Sequence, residues 1–219
     1  VGPPYKETLV VATTNRGKLD ELRLLLDGLP VAVESAADVV RDAPEVVEDG
    51  ETFEANARKK ALAVAHVGMM MTLADDSGLE VDALQGRPGV RSARFAHPRA
   101  TDAENNAALL GALESLGDGE SAAFTARFRC VLALVDPFTN GGEPRTVEGV
   151  CEGSITRTPR GSGGFGYDPL FVVADTGETM AELDASEKNR ISHRAKAFAA
   201  LRPLLERVLA ERAGQVSRV

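Results

Sequence analysis

The chain has 219 residues, 43% of them hydrophobic and 26% charged, an ordinary globular composition with room for one sizeable α/β domain. Its formal net charge of −8 argues against a nucleic-acid surface, where a basic stripe is expected, but leaves open a small anionic ligand held by a local cluster of Lys and Arg. No run reaches the roughly 18 apolar residues of a membrane span, and the first residues, Val1-Gly2-Pro3-Pro4-Tyr5-Lys6, lack the apolar stretch of a signal peptide. Cys130 and Cys151 each sit inside a β-like run, so reduced core thiols and a cytoplasmic location are expected.

In chain order, strand and helix signals alternate: a strand over 8–13, a helix over 16–27, a short strand near 31–34, a helix over 51–67 and a strand near 71–74. "SGLEVDALQGRPG" reads as a further short strand closed by Gly-Arg-Pro-Gly turn chemistry. A helix over 101–116 opens on a capping box, with Thr101 as N-cap and Glu104 three residues on. Two long strands, 122–135 and 144–156, form a hairpin across a Pro/Asn/Gly turn and could extend the sheet into a second lobe. A glycine-rich loop, a strand over 170–173, a short strand near 180–183 and a closing helix over 192–212 complete the chain. The architecture expected is α/β: a mixed sheet flanked by helices, one domain over 1–219, with residues 1–7 without fixed order.

Three of these helices each place one cation on the face meant for the interior. At about 100° per residue, Lys18 shares a face with Leu22, Leu25 and Leu26. Lys60 projects into the arc of Phe53, Ala57, Ala61, Val64 and Val67, and Arg194 into that of Ile191, Phe198, Leu201, Leu205 and Leu209. A buried charge is expensive unless paired, so these cations meet either a bound phosphate or internal carboxylates, with Asp75 and Asp76 the available partners. The segment 13–18 lies between strand and helix, where backbone N–H groups and the helix dipole favour an anion; Asn15 also suits the helix N-cap. It is not a Walker A loop, which needs G-x-x-x-x-G-K-[ST].

"LADDSGLEVDAL" carries adjacent carboxylates. Neighbours on a strand face opposite sides, which gives Asp75 and Asp76 different work, one of them suited to a hard divalent cation or to activating water; an Asx turn into Ser77-Gly78 is the plainer alternative. Glu48 could add a second carboxylate from what also reads as a polar loop. "GSGGFGYDPLF" crowds glycines around Phe165, Tyr167 and Phe171 in a chain with 8 Phe and 2 Tyr, which favours a ligand loop whose Phe165 stacks on a planar ring. Ser192 suits an N-cap, with His193 and Arg194 in the first turn and Lys188 ahead of it. His193 lies off the apolar arc and is expected to face solvent unless it has a role, while His66 and His97 have no evident partners.

Taken in order, "ATTNRGKLDEL", "DGETFEANARKKA", "LADDSGLEVDAL", "GVRSARFA", "GSGGFGYDPLF" and "SEKNRISHRAKA" resemble the inosine/xanthosine triphosphate pyrophosphatase family, over nearly the whole chain. The resemblance implies hydrolysis of ITP, dITP and XTP between the α- and β-phosphates with Mg²⁺, in an elongated two-lobed α/β fold with a central cleft, as a cytoplasmic homodimer with no nucleic-acid or membrane partner. It places Thr13, Thr14, Asn15, Arg16, Gly17 and Lys18 in the triphosphate-binding turn, with Thr14 standing where a glycine is common. It gives Lys60 to the phosphates, Asp76 to general base and metal ligand, Glu48 to the metal, and Ser77 to substrate. Phe165, Gly166, Tyr167, Asp168, Lys188, His193 and Arg194 then match base and nucleotide contacts. Two other functions fit the residues alone: a nucleotide phosphohydrolase of different base specificity, and a nucleotide-binding module without catalysis.

Overall fold

In the computed structural model, which describes residues 6–13, 15–116 and 124–216 (the side chains of 16, 215 and 216 excepted), the predicted alternation of strands and helices builds a six-stranded mixed sheet. The strands are β1 (Glu7–Val11), β2 (Val31–Ser35), β3 (Thr72–Val81), β4 (Phe124–Val135), β5 (Arg145–Ile155) and β6 (Phe171–Val173), in the order β2-β1-β3-β4-β5-β6. β1 is parallel to both β2 and β3, with Leu9 opposite Val33 and Val11 opposite Leu73, while β6 runs antiparallel to β5. The helices are α1 (Arg16–Leu25), α2 (Ala36–Val39), α3 (Phe53–Gly68), α4 (Asp102–Glu114), α5 (Ala185–Ile191) and α6 (His193–Val216). Among the described residues no helix is long and apolar enough to cross a membrane.

The chain divides into two compact units: 1–76 with 131–148 and 197–219, and 77–130 with 149–196. In the first, Leu9, Val10 and Val11 of β1, Leu22 of α1 and Ala57 and Ala61 of α3 are fully buried or nearly so, as their apolar spacing requires. The second has its own core, in which Leu79, Leu109, Phe128, Leu170, Phe171 and Met180 pack together. Tight approach there depends on Gly153, where an added Cβ would lie 2.2 Å from the Val172 carbonyl oxygen and 2.6 Å from the Phe171 ring. Cys130 and Cys151 are both buried and not joined in a disulfide, as expected.

Local signals set most helix ends. The Asn15 side chain accepts from the Lys18 N–H at 3.1 Å, Thr52 caps α3, and the Thr101/Glu104 capping box is complete. Bonds from the Thr101 backbone N–H and hydroxyl, with His97 adding to them, hold the Glu104 carboxyl down at about 2. His97 thus has a partner that periodicity did not indicate, Glu104 at 3.4 Å.

Some of these expectations need correcting. The D-D-S-G segment is not a turn: β3 runs unbroken through it, because Asp75 and Asp76 both find cationic partners, Lys18 and Lys60, and do not have to cap their own backbone. Residues 180–183 are a turn rather than a strand; Thr179 alone makes a β-bridge, to Val172, and the Glu182 carboxylate takes the Thr179 N–H. The closing helix starts where expected, capped by Ser192, which is extended (φ −64°, ψ 158°) and whose hydroxyl accepts from the Ala195 N–H, but a short helix, α5, that periodicity did not indicate precedes it. Val67, assigned to the inner arc of α3, is 52% exposed because it lies in the helix's last turn. β1 starts at Glu7, inside the amino-terminal segment expected to lack order, whose residues 1–5 lie outside the described ones.

Candidate functional site

In the first unit, α1, α3, β3 and the loop before α3 bring together Lys18, Glu48, Asn56, Lys60, Asp75 and Asp76. Lys18 Nζ stands 2.7 Å from Asp75 Oδ1, and the Asp75 side chain is almost wholly buried. Lys60 Nζ donates to Glu48 Oε1 and to the Asp75 carbonyl oxygen, both at 2.6 Å, and to Asp76 Oδ1 at 3.3 Å. The two inward lysines therefore meet carboxylates here, and the alternation of β3 gives Asp75 and Asp76 different partners as expected.

Burial and charge pull in opposite directions at this cluster. Burial lowers the affinity of Lys60 for its proton, but Asp76, Asp75 and Glu48 outweigh it, so the ammonium is held above its ordinary value. Burial pushes the Asp76 carboxyl above the usual carboxylate range, against the pull of Lys60 and Lys18 and with Glu48 adding to the rise. A buried carboxylate with a raised pKa beside two cations is poised to take a proton.

Sequence reasoning missed Asn56. This side chain is buried, accepts from the Gly50 N–H at 2.8 Å, and donates from Nδ2 to Asp76 Oδ2 at 3.1 Å. Because its oxygen is committed to Gly50, its NH₂ end is left to face Asp76. The signal was present: Asn56 lies one turn before Lys60, on the same inward face of α3 as Phe53, Ala57 and Ala61.

At the start of α1, Thr13 Oγ1 accepts from the Asn15 N–H at 3.2 Å, while Asn15 and Gly17 are exposed. Thr14 and the Arg16 side chain, both predicted for the phosphate turn, lie outside the described residues.

In the second unit, the glycine-rich loop, α5 and the start of α6 gather Phe165, Asp168, Lys188, His193 and Arg194 with Ser77. Lys188 Nζ pairs with Asp168 Oδ2 at 2.6 Å and lies 5.3 Å from the centre of the Phe165 ring. The Arg194 guanidinium lies 5.2 Å from the same ring and donates to Ser77 Oγ at 2.9 Å. Burial pushes Asp168 up, opposed by Lys188 and by bonds from Phe165 and the charge of Arg194. Gly164 has φ +77°, and a Cβ there would stand 2.0 Å from Asp168 Oδ2 and 2.7 Å from Lys188 Nζ, so only glycine lets the loop close over this ion pair.

His193 is buried, not solvent-facing, and its ring stacks on Phe128 at 4.8 Å with an 18° interplanar angle. Tyr167 is buried in the core, with its hydroxyl donating to the Ser92 carbonyl at 2.8 Å; burial pushes that hydroxyl well above its ordinary pKa. Gly166 bonds to α4 through both its N–H and its carbonyl.

Chemically, the first group offers a buried base, two ammonium groups and hard carboxylate oxygens, which suits phosphate chemistry. The second offers an aromatic ring with cationic hydrogen-bond donors beside it, which suits a planar heterocycle carrying acceptor oxygens.

The Ham1 family model matches residues 9–204 of the chain. A dITP/XTP pyrophosphatase of Geobacter sulfurreducens is 53% identical over 89% of this chain and 94% of its own length. One of Syntrophobacter fumaroxidans is 50% identical over 92% of this chain and 83% of its own. Among solved structures, a HAM1 protein from Coxiella burnetii superposes with a TM-score of 0.82 at 42% identity, covering 92% of this chain and 99% of that one. A nucleoside-triphosphatase (dITP/XTP pyrophosphatase) from Mycobacterium abscessus gives 0.70 at 44% identity, covering 89% and 98%.

Proposed function

The chain belongs to the Ham1 family, and from that membership and the two residue groups we propose that it hydrolyses ITP, dITP and XTP to the monophosphate and pyrophosphate. Such an enzyme removes deaminated purines from the nucleotide pool. The observation that carries the assignment of residues is the buried Asp76, flanked by Lys60 and Asn56 and followed directly in the chain by Ser77, which holds Arg194.

Water attacks the α-phosphorus in line, the bond from that phosphorus to the bridging oxygen breaks, and pyrophosphate leaves. Asp76 takes the proton from the attacking water. Lys18, Lys60 and the backbone amides of the 13–18 turn neutralise charge on the phosphates. Lys18 then shares its ammonium between Asp75 and the substrate. The Glu48 and Asp76 carboxylates, both turned onto Lys60 Nζ, fit Mg²⁺, which needs only one or two of them and takes its other oxygens from water and phosphate. When bound, the ion would lower the pKa of a coordinated water and offset phosphate charge.

Phe165 stacks on the purine, and Arg194, Lys188 and His193 supply donors to a 6-oxo group. Adenine loses because its 6-amino donor would face other donors, leaving buried polar groups unpaired. Asp168 holds Lys188, and Tyr167 and Gly166 hold the loop. We extend the reading to a cytoplasmic homodimer without nucleic-acid or membrane partners, the state the resemblance implies.

Hydrolysis of ITP in ¹⁸O-water tests the bond cleaved: the label should appear in inosine monophosphate, and label in pyrophosphate would reject attack at the α-phosphorus. Lys18→Ala should weaken ITP and tripolyphosphate binding by roughly tenfold or more, the worth of a charged hydrogen bond, and inosine monophosphate binding little. Calorimetry showing equal losses for ITP and the monophosphate would leave Lys18 with Asp75 as its sole concern.

A further inference from the structure

The loop that carries Phe165 is held from outside by a helix to which the reaction above gives no part. Asp102 Oδ2 accepts from the Gly166 N–H at 2.7 Å, and Asn106 Nδ2 donates to the Gly166 carbonyl at 3.0 Å. The two side chains are four residues apart in the first turns of α4 and so share a face. The Gly166 N–H belongs to the peptide plane that follows Phe165, and its carbonyl to the plane that precedes Tyr167. Two successive peptide planes are thus pinned from one helix, with Gly166 at φ +62° between them.

Resting on the function proposed above, we propose that Asp102 and Asn106 are positioning residues for base recognition, clamping Gly166 so that the Phe165 ring stands ready for the purine. Other bonds in the loop set its shape but do not tie it to α4: the Phe165 N–H donates to Asp168 Oδ2 at 3.1 Å, and the Phe165 carbonyl accepts from the Asp168 N–H at 3.3 Å. Tyr167 anchors the far side through Ser92, whose hydroxyl in turn donates to the Gly89 carbonyl and accepts from the Leu79 N–H. Release of Gly166 leaves these bonds intact and unties from α4 the two peptide planes on either side of Gly166, one of which adjoins Phe165. The Asp102 bond is the stronger of the pair, because an ionised acceptor makes a shorter and stronger bond than a neutral one.

Two readouts test the clamp. The chain contains no tryptophan, so Phe165→Trp installs a single fluorescent reporter on the loop. In that background Asp102→Ala and Asn106→Ala should shift emission to the red and raise the acrylamide quenching constant, whether or not ITP is a substrate. Without the reporter, Asp102→Ala should raise the KM for ITP by about tenfold and Asn106→Ala by a smaller factor, with kcat and inhibition by tripolyphosphate little changed. Asp102→Asn, which retains an acceptor for the Gly166 N–H, should recover most of the loss. Unchanged quenching and KM in both alanine variants would overturn the clamp. Equal weakening of ITP and tripolyphosphate would also overturn it, by showing a general structural role. A wild-type enzyme that fails to turn over ITP would instead reject the proposed function, with the quenching result still deciding the clamp.

Discussion

Asp76→Asn should lower kcat for ITP by about 10² to 10⁴-fold, the range general-base catalysis supplies, while ITP binding stays measurable. The substitution keeps the shape of the side chain but removes the proton acceptor, and it sets an amide where Lys60 Nζ stands 3.3 Å from Asp76 Oδ1 and Asn56 Nδ2 stands 3.1 Å from Oδ2. One amide end must then confront a donor, so part of the loss includes a reoriented side chain. Lys60 remains held by Glu48 and the Asp75 carbonyl, which protects the fold. The wild-type pH profile carries the matching signature. The base acts when ionised, so kcat/KM rises with pH through the pKa of Asp76, and burial places that rise above the ordinary carboxylate value of about 3.9. Kinetics at a near wild-type rate in the asparagine variant would remove Asp76 from the chemistry.

Lys60→Met should be the most damaging single change to the fold and the site together. It leaves Glu48 and the buried Asp76 facing each other with their shared ammonium gone, and the Asp75 carbonyl without its donor. Breaking a buried ion pair by removing one partner costs about 3–5 kcal/mol, and loss of the cation at the phosphates should lower kcat/KM by about 10²-fold or more. The double variant Lys60→Met, Glu48→Gln separates the two effects. Removing the second like charge should recover much of the stability in urea unfolding but none of the activity. Recovery of both would mean that Lys60 serves only to balance Glu48.

What the sequence made legible was what periodicity and capping report. Lys18, Lys60 and Arg194 stood out because each breaks an apolar face, and all three are held inward by specific partners. Asn56 sat on the same face of α3 as Lys60 and was legible by the same logic. Asp102 and Asn106 were not, because their partner Gly166 lies at least 60 residues away and nothing local marks the contact. α5 escaped because its seven residues are too few for a period to emerge. β3 was cut short because Asp-Asp-Ser-Gly has strong turn propensity, which partners for both carboxylates override. The 180–183 turn read as a strand because Met180, Ala181 and Leu183 are buried for packing rather than for pairing.

Pyrophosphate release with Mg²⁺ from ITP, XTP, ATP, GTP and dTTP, run in parallel, reads base recognition and phosphate chemistry in one assay. Release should be rapid from ITP and XTP and slow from ATP and dTTP, while GTP, which shares the 6-oxo group, reports whether the 2-position is read as well. Equal rates on all five would contradict base recognition by the Phe165, Lys188 and Arg194 group, and no release from any would contradict the assignment of Lys18, Lys60 and Asp76 to a triphosphate.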